Sequence, residues 1–298
     1  MRALGILREV QNSPNRESDD ALILEAVLQQ LTWLGVRAEK ATPEEADRLD
    51  LSRYALVIPM CESYPRIKRL LGASEGSRAL WANPPQSVLN CYRLRTLELL
   101  GAHPDILFPR SEVRRVGRPG AEPFRSPAGY WLKRGDVHNT CDHDVVYAKT
   151  WADAGRILED FAAREITHYV VQPHIEGDII KFYGVGPGRW FTWFHHDPTR
   201  ARRHPFSVDE LARTAAEGAR SLDLTIYGGD AIVSPDGTVT LLDLNSWPSF
   251  ARVRQEAAIQ IAWHLQTRLA AAPAPRREKT PAGRTLSSGR SSAPRRNK

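Results

Sequence analysis

The sequence predicts an α/β layer followed by an α+β half, from three observations. Short apolar strands alternate with helical patterns over the first hundred residues, and Pro-rich punctuation then marks a boundary near residue 105. Beyond it, strand patterns dominate and end in an Asp-Gly hairpin. With 298 residues, 42% hydrophobic composition and eight Trp, the chain can bury a substantial core in one or two domains.

Taken in order, "ALGIL" reads as the first strand and "DDALILEAVLQQLTWLG" as a helix, with Leu24, Val27, Leu28, Leu31 and Leu34 on one face at helical spacing. "VRAEKA", "YALVIPM" and "ALWAN" read as further strands, and "PQSVLNCYRLRTLELLG" as one helix. Strands separated by such helices imply a parallel, doubly wound layer. No GxGxxG follows the first strand, so a dinucleotide site is not indicated.

In the second half, "GYWLKRG" and "HYVVQPHI" are strands flanking a helix around "TWADAGRILEDFAARE". "DIIKFYGVG" and "RWFTWFHH" follow, then a helix from about Ser207 to Leu222, the strand pair "LTIYGGDAIVS" and "TVTLLDLNSW", and a last helix from Arg252 to Leu269. The expected division is residues 1–104, then 105–270 in two lobes (105–171 and 172–270), then a tail.

The formal charge of +6 belongs to that tail. Residues 271–298 carry eight Lys or Arg against Glu278, and removing that surplus of seven leaves the body at −1. The tail is rich in Pro, Ser, Gly and Arg and reads as disordered, with at most weak attraction for nucleic acid or another polyanion. Cys61, Cys91 and Cys141 form no CxxC pair, which argues against structural zinc and favours a reducing compartment. No run approaches the roughly 18 apolar residues of a membrane span, so no membrane partner is expected and the reading is cytoplasmic.

The chemistry gathers at "LLDLNSWPSF", residues 241–250. If Asp236 and Gly237 form a two-residue turn, the register sets Asp230 opposite Asp243, and Asn245 shares the Asp243 face. Opposed Cβ atoms lie roughly 4.5–5.5 Å apart, so two carboxylates and a carboxamide converge. Oxygen-only ligation of this kind suits Mg²⁺ or Mn²⁺. Without Asp230, the Asp-x-Asn pair fits equally well as polar residues satisfied by turn backbone.

At this point the sequence resembles the ATP-grasp superfamily, which places an acid, then an acid-x-Asn pair, on adjacent strands around Mg²⁺. The resemblance spans roughly residues 80–268. It implies a Rossmann-like pre-ATP-grasp domain and a two-lobed ATP-grasp domain with antiparallel sheets. Asp230, Asp243 and Asn245 would be the metal ligands, Lys133 and Lys181 would lie on the ATP phosphates, and Arg93 would stand where a lysine is usual. Gln172, Pro173, His174 and Ile175 would hold the adenine edge and Asp178 the ribose. Taken singly, Lys133 also fits a solvated strand-end lysine, Asp178 a turn residue and Gln172 a polar cap.

The stretch "KRGDVHNTCDHD" departs from the Gly-rich loop of the ligases. It is similar to the Lys-x4-His-x-Thr-x2-His pattern of the inositol polyphosphate kinase branch, through Lys133, His138, Thr140 and His143. On that resemblance His138 would be catalytic, and His138, Thr140, His143 and His195 would face the substrate. Arg110, Arg114, Arg115, Arg118 and Arg125 could supply a basic pocket. The leading expectation is an ATP- and Mg²⁺-dependent carboxylate-amine ligase acting on a small-molecule or peptide substrate through an acylphosphate. A small-molecule kinase and a non-catalytic ATP-binding module are the alternatives. The family resemblance also implies a homo-oligomer.

Overall fold

The structure is a computed structural model that describes residues 1–12, 17–117, 120–135 and 141–271. Strands β1 (Arg2–Ile6), β2 (Arg37–Ala41), β3 (Leu56–Pro59) and β4 (Leu80–Trp81) form a parallel sheet in the order β2-β1-β3-β4. The helix Glu17–Trp33 covers one face, burying Ile23, Leu24, Val27 and Leu31 against Ala3, Leu56 and Ile58. The helix Tyr64–Ser74 covers the other through Ile67 and Leu70, against Leu4, Ile6 and Val57.

The helix expected over residues 85–101 is two helices, Pro85–Asn90 and Arg93–Gly101. Tyr92 adopts an extended backbone (φ −63°, ψ 137°) between them, and its hydroxyl donates to the Glu62 carbonyl at 2.6 Å. That break makes Arg93 the first residue of the second helix.

Strands β5 (Glu112–Arg115), β6 (Tyr130–Arg134), β7 (Val145–Ala148) and β8 (His168–Pro173) form an antiparallel sheet in the order β5-β8-β6-β7. The helix Ala154–Ala163 closes its outer face, with Leu158 and Phe161 against Tyr130, Leu132, Tyr169 and Val171. Strands β9 (Asp178–Val185), β10 (Trp190–His195), β11 (Ile226–Val233) and β12 (Val239–Ser246) make a second antiparallel sheet, ordered β10-β9-β11-β12. The helix Val208–Ser221 packs beneath it through Leu211, Ala215 and Ala219. Ser207 caps that helix by accepting the Glu210 N–H at 3.1 Å, and Asp209 and Glu210 complement the positive end of its dipole.

One core joins the parallel sheet to the second antiparallel sheet. Trp247, Phe250, Tyr183 and Ile226 share it with residues of the helix Glu17–Trp33, and the last helix, Arg254–Ala271, lies against that helix through Ala258, Ile261 and Leu265. Asn83, fully buried, pins the junction. Its Nδ2 donates to the Ile226 carbonyl (2.7 Å) and to Ser246 Oγ (2.8 Å), and its Oδ1 accepts the Thr225 and Ile226 N–H groups (2.8 Å each). Arg8 makes a second tie, from Nε to the Met60 carbonyl (3.1 Å) and from Nη2 to the Trp247 carbonyl (2.7 Å). No described helix is long and apolar enough to cross a membrane. The basic tail beyond residue 271 lies outside the described residues.

Candidate active site

The β11–β12 hairpin sets the geometry, by a route that differs from the expected two-residue turn. Ser234 N donates to the Thr238 carbonyl at 3.0 Å, Gly237 N donates to the Ser234 carbonyl at 2.9 Å, and Gly237 has φ +86°. The loop is therefore three residues, Pro235 to Gly237, with glycine in the left-handed position that such loops require. Near the loop Val233 pairs with Val239 and Ala231 with Leu241. The register then shifts between Ala231 and Asp230, Leu242 is the extra residue, and Asp230 pairs with Asp243 and Gly228 with Asn245.

This bulge aims the side chains. Leu241 and Leu244 are both fully buried above the helix Val208–Ser221, whereas Leu242, Asp243 and Asn245 line the opposite cleft. In an unbroken strand Leu241 and Asp243 would share a face. Gly229 allows the close approach, because a Cβ there would lie 2.3 Å from the Asp243 carbonyl oxygen.

Lys181 on β9 pairs directly with Asp230, so Lys181, Asp230 and Asp243 form one row across three strands. Lys181 Nζ lies 2.7 Å from Asp230 Oδ1 and 3.0 Å from Oδ2, and Asp230 N donates to Asp243 Oδ1 at 3.0 Å. Burial and then the Asp243 carboxylate push the Asp230 carboxyl above the usual range, with Lys181 opposing. From the facing sheet, Lys133 projects into the same cleft, joined by Arg93. Burial and then Arg93 pull the Lys133 ammonium down to about 8, against the attraction of Asp243 and Asp230.

Two contiguous cavities meet at these charges. One, about 270 Å³, is a slot between the antiparallel sheets, walled by Trp131 and Val145 on one side and Ile179, Ile232 and Leu242 on the other. Its apolar walls suit a flat ring. The segment Pro173 to Ile175 forms its edge, and the Trp131 indole N–H donates to His174 Nδ1 at 3.1 Å. The buried Gln172 amide donates to Ser111 Oγ at 2.8 Å, which orients it. The second cavity, about 330 Å³, runs from Asp243 and Asn245 toward the parallel sheet and reaches Arg8, Asp20, Glu62 and Thr96. Arg8 faces Asp20 and Glu62 there, each at 3.2 Å.

Several expected residues stand elsewhere or outside the described residues. Asp178 points to the Ile180 side of β9 and is buried, with its oxygens accepting the Arg202 N–H (2.7 Å) and the His204 N–H (2.9 Å). Burial raises its pKa, and these two donors outweigh that and leave it below the usual range. Asp178, expected at the ribose, is thus engaged with backbone and is not among the residues that line the cleft. His195 pairs with Ile180 and so faces away from Lys181, beside Trp193 at 5.6 Å between rings. Its neighbour His196 is the one whose charge acts on Asp230. His143 is exposed and lines a separate groove with Lys149, Arg156 and Asp160. His138 and Thr140 lie outside the described residues, as does Arg118. Arg110 and Arg114 lie over the rings of Phe124 and Trp151 instead of forming a basic pocket in the cleft.

Arg8, Asp20 and Glu62 carried no sequence signal. They belong to the first, parallel layer and reach the cleft only through the shared core. Asp230, Asp243 and Asn245 present hard oxygens that fit Mg²⁺ or Mn²⁺. Among the described residues, no group of three or more His, Cys, Asp or Glu could hold a metal ion, and the candidate donors here are two carboxylates and a carboxamide.

No protein-family model and no curated protein matches this chain. Solved structures do. D-cycloserine synthetase superposes with a TM-score of 0.62 at 18% identity, covering 90% of this chain and 100% of that one. The D-alanine-D-alanine ligase of Coxiella burnetii gives a TM-score of 0.67 at 13% identity, over 91% of this chain and 95% of that one. The D-alanine-D-alanine ligase of Bacillus anthracis complexed with ATP gives 0.63 at 12% identity, over 91% and 99%. These neighbours are ATP-grasp enzymes, and the likeness runs over nine-tenths or more of this chain. The chain has the ATP-grasp fold.

Proposed function

We propose that the protein is an ATP- and Mg²⁺-dependent ligase that joins a carboxylate to an amine through an acylphosphate. The observation that carries this reading is the row Lys181, Asp230, Asp243 at the meeting of two cavities, one apolar and flat, the other polar and open to the parallel sheet. The flat slot suits adenine between Trp131 and Leu242, and the polar cavity suits a small-molecule or peptide acceptor. Solved structures of this fold include D-alanine-D-alanine ligases, one of them with ATP, which favours a ligase over a kinase.

In this reading Asp230, Asp243 and Asn245 hold Mg²⁺, which would neutralise phosphate charge. Lys133, Lys181 and Arg93 line the place where the transferred phosphoryl group would lie, and their positive charges stabilise it as it moves. An acceptor carboxylate oxygen attacks the γ-phosphorus and the bond to the ADP oxygen breaks. The amine then attacks the acyl carbon, and inorganic phosphate leaves with that carboxylate oxygen.

That last atom supplies the test. With an ¹⁸O-labelled carboxylic acid, an amine and ATP, one label should appear in phosphate and ADP should form only when both acid and amine are present. ADP formed with a single acceptor that stays phosphorylated would overturn the ligase reading in favour of a kinase.

A further inference from the structure

Among the described residues, β10 has a strand neighbour on one side only, β9. Edge strands that resist further pairing carry Lys, Pro, an inward charge or a bulge. Trp190–His195 reads WFTWFH, with no Lys, Pro or acid, and its register with β9 is unbroken over six residues. His196 N donates to the Ile179 carbonyl at 2.9 Å, which sets the hydrogen-bonded pairs with β9 at the even-numbered residues of β10. The N–H and C=O groups of Phe191, Trp193 and His195 therefore point outward, along the open edge.

Packing fixes both faces of the strand and leaves the edge to be covered. Phe191 stacks on Phe182 at 5.8 Å and Trp193 meets Phe206 edge-on at 5.0 Å, while Trp190 and Phe194 lie on the core shared with the parallel sheet. All six residues of β10 nevertheless remain only half-buried. An apolar ridge adjoins them. The Trp190 indole N–H donates to Glu256 at 2.9 Å, and from there the last helix exposes Ile259 and Trp263, one turn apart.

Charge identifies the complement. Arg189 precedes β10 by one residue, Asp197 follows two residues after its end, and Trp193 stands midway between them. An antiparallel copy related by a two-fold axis through Trp193 sets Arg189 of each chain opposite Asp197 of the other. Arg189 is exposed and the Asp197 side chain is 43% exposed, so both can reach a partner. The backbone accepts the same register, because outward-pointing residues then meet each other: Phe191 with His195, and Trp193 with its own copy. We propose that β10 pairs with β10 of a second copy of this chain in this register, joining two four-stranded sheets into one of eight. The axis brings the Ile259 and Trp263 ridges of the two copies to the same side of the joined sheet.

Sedimentation equilibrium on the full chain, without nucleotide, tests this. The wild type should be a dimer. Arg189→Glu and Asp197→Lys each oppose like charges at both ends of the pairing and should raise the dimer dissociation constant about tenfold or more. The double variant reverses both charges and should return it to within about threefold of the wild type. Asp197 also accepts the Thr199 N–H at 3.0 Å, so amide hydrogen exchange on the unaltered chain gives a second measurement. The amides of Phe191, Trp193 and His195 should exchange more slowly as protein concentration rises through the dissociation constant. A wild type that stays monomeric overturns the proposal and leaves the edge to a strand of another protein. A dimer that is indifferent to Arg189→Glu, or whose three amides exchange at the monomer's rate, overturns it as well.

Discussion

Leu241 and Asp243 stand two apart on one strand yet face opposite sides of the sheet, because Leu242 is bulged between them. Without the bulge the carboxylate would enter an apolar layer, where an unpaired charge is costly. Burial first and the Asp243 charge second raise the Asp230 pKa, so like charge adds to the cost of desolvation in this pair. Asp243→Asn keeps the acceptor for the Asp230 N–H and removes that repulsion. Its melting temperature without ligands should equal or exceed that of the wild type, while kcat/KM falls on the order of 10³-fold. A variant that retains full turnover would remove Asp243 from the site.

Gly229→Ala should act on the same bulge from the neighbouring strand. The added Cβ meets backbone, the Asp243 carbonyl, and not a flexible side-chain tip. The hairpin must shift, so divalent-ion affinity measured calorimetrically should fall about tenfold or more even though no ligand side chain is altered.

Lys133 gives the pH dependence. Its ammonium is lost near pH 8 instead of near its ordinary 10.5, so kcat/KM for ATP, which reports the free enzyme, should decline as pH rises through about 8. Stability moves the other way. Between pH 8 and 10.5 the unfolded chain holds a proton on this lysine that the folded chain has released, so unfolding free energy contributed by this group rises with pH. Lys133→Arg should keep activity at high pH and remove the limb near 8. An unchanged profile in that variant would assign the limb to another group.

How far the site was legible can be followed along the same hairpin. An Asp-Gly pair between apolar runs announces a turn, but not its length. Counting from a two-residue loop reaches Asp230 opposite Asp243 only because the longer loop shifts the register by one residue and Leu242 shifts it back. Helices with a clean apolar face, such as Glu17–Trp33, were readable, whereas β5, with the charged sequence EVRR, was not, because its strand character comes from pairing with β8. Asp178 and His195 both lie on the Ile180 side of the sheet, opposite to Lys181, and face depends on a register that spacing alone does not give. Arg8 and Glu62 were invisible because only tertiary packing brings them to the cleft.

Trp131 should affect nucleotide binding more than chemistry. It walls the flat slot, packs 5.4 Å from the Tyr147 ring and orients His174 through its indole N–H. Trp131→Ala should raise the KM for ATP by about tenfold, roughly 1.4 kcal/mol, with kcat changed far less. A fall in kcat at constant KM would place the indole near the reacting atoms instead.

Asn83 tests whether the two halves hold the site as one body. Its carboxamide satisfies two N–H groups at the start of β11 and donates to the Ile226 carbonyl and to Ser246 at the end of β12, the strands that carry Asp230, Asp243 and Asn245. Asn83→Ala leaves the Thr225 and Ile226 N–H groups buried without partners, at a cost of about 3 kcal/mol or more. Asn83→Asp restores the acceptor but cannot donate to the Ile226 carbonyl, which then faces a carboxylate oxygen across a fully buried contact. Both variants should lower the urea midpoint, and ATP affinity measured well below that midpoint should fall with it, because the pin and the metal seat share two strands. Normal affinity in a destabilised Asn83→Ala chain would show that the hairpin keeps its geometry without the parallel layer.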